Sequence, residues 1–417
     1  MARPVAITGI GIITSLGRGR AENWARLSAG QSGIHRLTRF PIAGLRTTIG
    51  GSVDFMALDP LNAPALSHAM AREAALEALA QSGLGDERDG KRRFPGELFL
   101  AAPPVEHEWP QRFGLAHKRP GGAKSYDDLI EAAAQDSGEL HENFLFSTIG
   151  ERLADEFGTQ GTPITLSTAC ASGATAIQLG VETIRRGAKA ALSIGTDGSI
   201  HAEAVIRFSL LSALSTANEL PEAAAKPFSK NRDGFVMAEG AAALVLEDVE
   251  HAKARGAKIL AYVRGCGEAA DTFHRTRSHP SGDAIVQCIS AAIADAGLQP
   301  ADIGYINAHG TGTPENDKME CLGVQRVLGA HAETTPISSN KSMIGHTLTA
   351  AGAVEAAFTA LTLQHQLLPP TINYNIPDPA LPLDTVPNTA RKATPEFALS
   401  NSFGFGGQNV SLVIGAA

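Results

Sequence analysis

Four short motifs in this chain carry residue types suited to acyl transfer through a thiol. The first is Leu166-Ser167-Thr168-Ala169-Cys170-Ala171-Ser172-Gly173, where an apolar strand-like run meets a helical pattern continued by Ile177, Val181 and Ile184. A thiol at such a corner faces unpaired N–H groups and the positive end of the helix dipole, which favour thiolate. The second is Asn307-Ala308-His309-Gly310-Thr311-Gly312-Thr313, after the short run Ile303–Ile306. The third is Asn340-Lys341-Ser342-Met343-Ile344-Gly345-His346-Thr347, ahead of a helix expected over Thr349–Gln364. The fourth is Ser400-Asn401-Ser402-Phe403-Gly404-Phe405-Gly406-Gly407-Gln408-Asn409. Its glycines permit a tight turn that can aim N–H groups at a developing oxyanion. A lone buried Cys is ordinarily apolar packing, and a lone loop His is ordinarily a bystander. A helix-start Cys with two His loops is a different matter, because together they supply a nucleophile and two N–H donors.

At these residues the chain resembles the β-ketoacyl-acyl-carrier-protein synthases, the elongating condensing enzymes of type II fatty-acid synthesis. The four motifs match in the family's order. The resemblance extends through Val5–Gly11, Lys226-Pro227-Phe228, Arg232-Asp233-Gly234-Phe235, and Asp271 with His274 and Thr276. It is weak from about Ala101 to Phe144.

The resemblance implies a decarboxylating Claisen condensation; the alternatives are a related thiolase-fold acyltransferase using coenzyme A thioesters and a non-catalytic subunit of the chain-length-factor kind, which the His309/His346 pair and Cys170 respectively argue against. Cys170 would take an acyl group from a carrier thioester. Malonyl carrier would then lose CO2, and its enolate would attack the acyl-Cys to give 3-oxoacyl carrier. It also implies that His309 and His346 are neutral donors to the enolate oxygen, and that Lys341 joins Glu355 in a charge network. Backbone N–H groups of Cys170 and Phe405 would form the oxyanion hole, and the Phe405 side chain would gate the acyl pocket. Thr311, Thr313 and Thr276 would hold the phosphopantetheine arm. No metal or redox cofactor is expected. The Asp317/Glu320 pair, at helical spacing, reads as structural rather than catalytic.

The implied fold is α/β: the thiolase fold, two similar halves, each with a five-stranded mixed sheet, in α-β-α-β-α layers. The halves are expected at 1–255 and 256–417. A homodimer and an acyl carrier protein are the expected partners. Carriers are acidic, so a basic rim should steer them. The early helix Ala65–Ala74 offers only His68 and Arg72, and Ala217 stands where relatives often carry Arg. Gln111–Lys124, with Arg112, His117, Lys118, Arg119 and Lys124, is therefore the expected substitute docking surface. Pro103 and Pro104 stiffen a segment that is often Gly-rich in relatives and shapes the acyl pocket.

The elements that must position these groups are legible as short apolar runs alternating with helical patterns. Strands are expected at Val5–Thr8, Ala190–Ile194, Ala242–Leu246, Ile259–Val263, Ile303–Ile306, Ala398–Ser400 and Val410–Ile414. Helices are expected at Ala69–Gln81, Ala171–Arg186, Asp283–Ala296 and Thr349–Gln364. The alternation indicates largely buried sheets of an α/β protein. Gly9, Gly11 and Gly17 lack the spacing of a dinucleotide fingerprint and read as a structural turn.

The chain has 417 residues, 43 of them Gly, 43% hydrophobic and only 5% aromatic, which suits closely packed helices and sheets. A net charge of −8 argues against nucleic-acid binding. Four Cys without CxxC spacing form no disulfide framework; Cys288 and Cys321 read as helix-packing residues and Cys266 as lying at a strand end. No apolar run is long enough to span a membrane, so cytoplasmic residence is expected.

Overall fold

The computed structural model describes residues 3–56, 58, 61–88, 91–104, 106–118, 121–122, 124–135 and 138–417. Ten strands make the frame. In the first part of the chain these are β1 (Val5–Thr14), β2 (Glu97–Ala101), β3 (Ile164–Leu166), β4 (Ala190–Asp197) and β5 (Gly240–Asp248). In the second they are β6 (Ala261–Ala270), β7 (Ile303–Asn307), β8 (Ile337–Ser338), β9 (Phe397–Phe403) and β10 (Gln408–Ala416).

The two sets share one topology. The first runs β1-β5-β4-β2-β3 and the second runs β6-β10-β9-β7-β8. In each set the first two pairings are antiparallel and the last two parallel. The fold is therefore pseudo-duplicated, a repeat that side-chain identity did not reveal. The sets also join edge to edge, through Val5↔Val263, Ala6↔Tyr262 and Ile7↔Ala261. The two expected sheets thus form one continuous sheet, which a two-residue strand at Gly17–Arg18 extends beside β1.

Eight helices matter to the site: α1 (Ala63–Ser82), α2 (Trp109–Lys118), α3 (Thr148–Phe157), α4 (Ser172–Arg185), α5 (Ala202–Leu210), α6 (Asp283–Ala296), α7 (Pro314–Leu328) and α8 (Ala351–His365). The central layer is α4 against α8, which touch each other and strands of both halves. Every residue of α8 from Ala351 to Leu363 is buried. A helix without a polar face is what a position between two sheet faces requires. On the outside, α1 covers β1, β5 and β4, while α6 covers β6 and β10 and packs on α7. That is the α-β-α-β-α layering.

Small residues permit this closeness. A Cβ at Gly9 would lie 2.1 Å from the Ala78 carbonyl oxygen of α1, and one at Gly11 1.9 Å from that of Ala74. Both glycines sit inside β1, so they serve strand–helix contact rather than the expected turn. Cys266 is likewise inside β6, not at its end. No described helix is long and apolar enough to cross a membrane.

Candidate active site

Cys170 stands on a strained corner. β3 ends at Leu166, Ala169 adopts a left-handed φ of 50°, and α4 begins at Ser172. Such a conformation costs a non-glycine residue on the order of 1 kcal/mol or more and persists only where its surroundings enforce it. Ser172 supplies the enforcement. Its hydroxyl accepts from Thr168 N–H at 2.7 Å and donates to the Ala169 carbonyl at 2.6 Å. The result points the sulfur into the molecule, where Cys170 is 9% exposed.

His309 follows β7 and His346 precedes α8, on loops from the second half of the chain. The sulfur and one nitrogen of each ring lie within 4.8 Å of one another. The rings meet edge to face with centroids 5.3 Å apart. Residues 139 and 176 positions beyond Cys170 thus converge on it, which spacing alone could not indicate.

The hydrogen bonds fix both tautomers. His346 Nδ1 accepts the Leu348 N–H at 3.2 Å, so the neutral ring carries its proton on Nε2. That Nε2 is buried and has no hydrogen-bond partner among the described residues. His309 Nδ1 lies 3.4 Å from Lys341 Nζ, an ammonium that can only donate, so its ring proton is also on Nε2. Burial pushes both imidazoles well below the usual histidine range, and the Lys341 charge pushes them further. Two neutral N–H donors therefore face one cavity.

Lys341 is paired with Glu355 of α8, both about 1% exposed. Burial pushes the Glu355 carboxyl up to about 7 while Lys341 opposes the shift. The second Glu355 oxygen, Oε2, is buried without a hydrogen-bond partner among the described residues.

Cys170 differs from the expected thiolate. Burial pushes its thiol up to about 11, although the Phe405 backbone N–H and Lys341 both pull it down. Enclosure by protein outweighs the helix end in the resting state. The Phe405 N–H that reaches the sulfur is where an oxyanion-hole donor belongs.

The Gly404–Gly407 turn is locked to the Asp271 loop. Gly406 N–H donates to the Arg275 carbonyl at 2.8 Å and Asp271 N–H to the Gly407 carbonyl at 2.8 Å. Gly407 has φ 89°, and a Cβ there would lie 1.8 Å from the Asp271 carbonyl oxygen. Only glycine fits.

Asp317 and Glu320, on α7, hold the first His loop. Glu320 accepts the His309 N–H at 2.9 Å and the Gly310 N–H at 2.7 Å. Asp317 accepts the Phe228 N–H at 2.8 Å and the Gly312 N–H at 3.2 Å. Both act on backbone, as expected of structural carboxylates. Arg232 lies 3.8 Å from Asp317 and 2.7 Å from Asp378, and Gly234 N–H donates to the Gly312 carbonyl at 3.2 Å. These contacts account for the Lys226–Phe228 and Arg232–Phe235 motifs.

Thr276, Thr311, Thr313 and Phe405 all line the cavity above Cys170, together with Phe208, Phe235 and Leu348. Thr311 and Thr313 are linked through their hydroxyls at 2.9 Å, and Thr313 also caps α7. At the mouth stand His274, Arg275 and Arg277. The Cys-His-His donor set could also meet a metal ion, but the Lys341 ammonium beside His309 opposes a dication there.

Of the expected docking stretch, one cation is seen engaged within the fold. Arg112 is bound to Glu203 at 2.9 Å, so its charge is spent inside the fold. The Lys118 side chain and Arg119 lie outside the described residues. His117 and Lys124 are exposed. On α1, Arg72 is clamped by Glu156 at 2.7 Å. Sequence reasoning did not single out Arg275 and Arg277, whose signal was their place beside Asp271 and Thr276.

The β-ketoacyl synthase N-terminal domain family matches residues 2–252, and the C-terminal domain family matches residues 260–375. The 3-oxoacyl-[acyl-carrier-protein] synthase 2 of Vibrio harveyi is 37% identical over 99% of this chain and 98% of its own length. The tetracenomycin polyketide synthase ketoacyl synthase alpha subunit of Streptomyces glaucescens is 37% identical over 98% of this chain and 96% of its own. A type II polyketide ketosynthase, solved with its acyl-carrier protein, superposes with a TM-score of 0.87 at 33% identity, covering all of both chains. The likeness runs along the whole length of the chain, and the chain belongs to the β-ketoacyl synthase family.

Proposed function

We propose that this chain catalyses the decarboxylating condensation of an acyl thioester with malonyl-acyl-carrier protein, giving 3-oxoacyl-acyl-carrier protein. The convergence of one sulfur and two imidazole nitrogens within 4.8 Å carries the reading. Cys170 loses its proton on reaction and attacks the incoming acyl thioester; the carrier thiol leaves. The oxygen of that tetrahedral intermediate meets the N–H groups of Cys170 and Phe405. Malonyl carrier then places its thioester oxygen between His309 Nε2–H and His346 Nε2–H. The C–C bond to the carboxylate breaks, CO2 departs, and its electron pair becomes the enolate. The enolate carbon attacks acyl-Cys170, and the C–S bond breaks to return the thiolate.

Thr311, Thr313 and Thr276 hold the amide-bearing arm along the cavity, and Phe405 closes over the acyl chain. The substrates arrive on carrier phosphopantetheine; the chemistry asks for no further cofactor. The acidic carrier meets His274, Arg275 and Arg277 at the mouth. We also take residues 1–255 and 256–417 as the two halves, and a second copy as the partner, joined along the open edge strand β3, where Ile164 is 43% exposed. Residence in the cytoplasm fits this partnership with a carrier.

A second reading keeps the reaction and changes the product. Relatives named for polyketide synthesis match as well as those named for 3-oxoacyl-carrier synthesis. The grown chain would then be a polyketide and the partner a related subunit. Intact-protein mass spectrometry with an acyl-chain series, malonyl carrier and several carriers tests both. Repeated extension without reduction favours the polyketide reading. Absence of acyl-Cys170 and of condensation with every carrier overturns the proposal.

A further inference from the structure

The His346 ring takes its tautomer from one backbone group, the Leu348 N–H on Nδ1. A strained residue aims that group. Leu348 has φ 47°, a left-handed conformation that a branched side chain keeps only where its surroundings enforce it. Its side chain is also a wall of the Cys170 cavity.

The enforcement comes from both sides. His346 is tied to the segment before β5: its N–H donates to the Val236 carbonyl at 2.7 Å, and its carbonyl accepts the Ala238 N–H at 2.8 Å. Thr349 is tied to Asp197, the last residue of β4, from the other half of the chain. Asp197 Oδ2 accepts the Thr349 N–H at 3.1 Å and the Thr349 hydroxyl at 2.7 Å. Asp197 Oδ1 accepts the Ser199 N–H at 3.1 Å and the Ser199 hydroxyl. Only Thr347 and Leu348 bridge the two anchors, and the left-handed turn at Leu348 closes that span.

The chemistry of the anchor is specific. Asp197 is 1% exposed. Burial pushes its carboxyl above the usual range, and the bonds from Ser199 and Thr349 oppose that shift. Each oxygen accepts one N–H and one O–H, a pattern that an amide, with a single acceptor end, cannot reproduce. Asp197 does not line the Cys170 cavity, so it acts through another residue rather than on substrate.

We propose that Asp197 is a positioning residue for decarboxylation: by anchoring Thr349 it holds Leu348 in its left-handed turn and so keeps the His346 proton on Nε2. The step named here rests on the condensation reading, whereas the tautomer does not.

Nitrogen-15 spectra of the histidine-labelled chain read the tautomer directly, with the His346→Ala spectrum identifying the signal. The unaltered chain should show His346 protonated on Nε2 alone. Asp197→Ala should mix the two tautomers and slow CO2 release from malonyl carrier on the order of tenfold, the value of about one hydrogen bond, while Cys170 still acylates at its usual rate. Thr349→Val should act in the same direction, and Thr349→Ser, which keeps the hydroxyl, should restore the unaltered rate. Circular dichroism checks folding, and the two Thr349 variants decide the matter should Asp197→Ala not fold. An unmoved tautomer in Asp197→Ala, an equal fall in acylation and CO2 release, or Thr349→Ser no faster than Thr349→Val overturns the proposal. An unaltered chain that shows the tautomer yet neither condenses nor releases CO2 overturns the condensation reading instead, and the spectra of the variants still decide the role of Asp197.

Discussion

Lys341 Nζ lies 3.4 Å from His309 Nδ1 while paired with Glu355, so one buried cation both neutralises a carboxylate and dictates which nitrogen of the His309 imidazole carries the proton. The arrangement assigns Lys341 a positioning role. Replacing it by Met leaves Glu355 buried and uncompensated, which costs about 3–5 kcal/mol. The double variant Lys341→Met with Glu355→Gln removes both charges and should regain most of that stability. It should not regain decarboxylation, because His309 loses the neighbour that fixes its tautomer. Thermal unfolding and CO2 release from malonyl carrier check the split. Recovery of both by the double variant would reduce the pair to a structural one.

The two His and the Cys should separate cleanly by step. Cys170→Ala abolishes acyl-enzyme formation and condensation. His309→Ala and His346→Ala still acylate, but decarboxylate about 100- to 1,000-fold more slowly, the usual loss for one oxyanion donor. Mass spectrometry of the acyl-enzyme and radiometric CO2 release are the readouts. Acylation of the Cys170→Ala protein at another residue, or normal decarboxylation in both His variants, contradicts the assignment.

The same buried groups predict opposite pH behaviour for the two half-reactions. Burial raises the Cys170 thiol to about 11, so the thiolate fraction grows as pH rises toward that value. Alkylation by iodoacetamide should then climb roughly tenfold per pH unit from about pH 7 to pH 9. The imidazoles move the other way. Their values lie well below 6.5, so both stay neutral as pH falls through the ordinary histidine range. Decarboxylation should stay flat between about pH 6 and pH 8. A plateau of alkylation already at neutral pH would mean that the α4 terminus outweighs burial.

Much of this site was legible because its parts are local. The Cys170 corner, the His309 loop and the Lys341-to-His346 loop each sit within ten residues, and β1, β4, β5, β7, β9 and β10 are apolar runs that declare themselves. What failed was non-local. β2, β3 and β8 are short and owe their pairing to neighbours far along the chain. Gly9 and Gly11 read as a turn because nothing in the motif indicates that α1 presses on β1. Arg112 read as a free cation because Glu203 lies 91 residues away. The thiolate expectation counted the helix end and omitted the enclosure that only packing supplies.

The close approach at Gly11 is itself testable. Gly11→Ala puts a Cβ 1.9 Å from the Ala74 carbonyl oxygen, a backbone atom that cannot rotate away. α1 must shift from β1, at a cost of about 1–3 kcal/mol for overpacking. Chemical denaturation should show that loss, with acylation of Cys170 preserved in the folded fraction because the site lies on the other face of the sheet. An unchanged midpoint would mean that the layer yields without penalty.

Carrier recognition supplies the sharpest contrast between two sets of arginines. Arg275 and Arg277 stand at the mouth of the Cys170 cavity, both exposed, with no ion pair among the described residues. Arg112 is spent on Glu203 and Arg72 on Glu156. Charge reversal at Arg275 and Arg277 should therefore raise the carrier-dependent KM, more steeply at low salt, since rim charges act through screened steering. kcat at saturating carrier should change little. Arg72→Glu should leave KM within about twofold, because a surface pair of this kind contributes little. If Arg72→Glu raised KM while the Arg275 and Arg277 reversals did not, the carrier would approach along α1 and the basic mouth would serve another purpose.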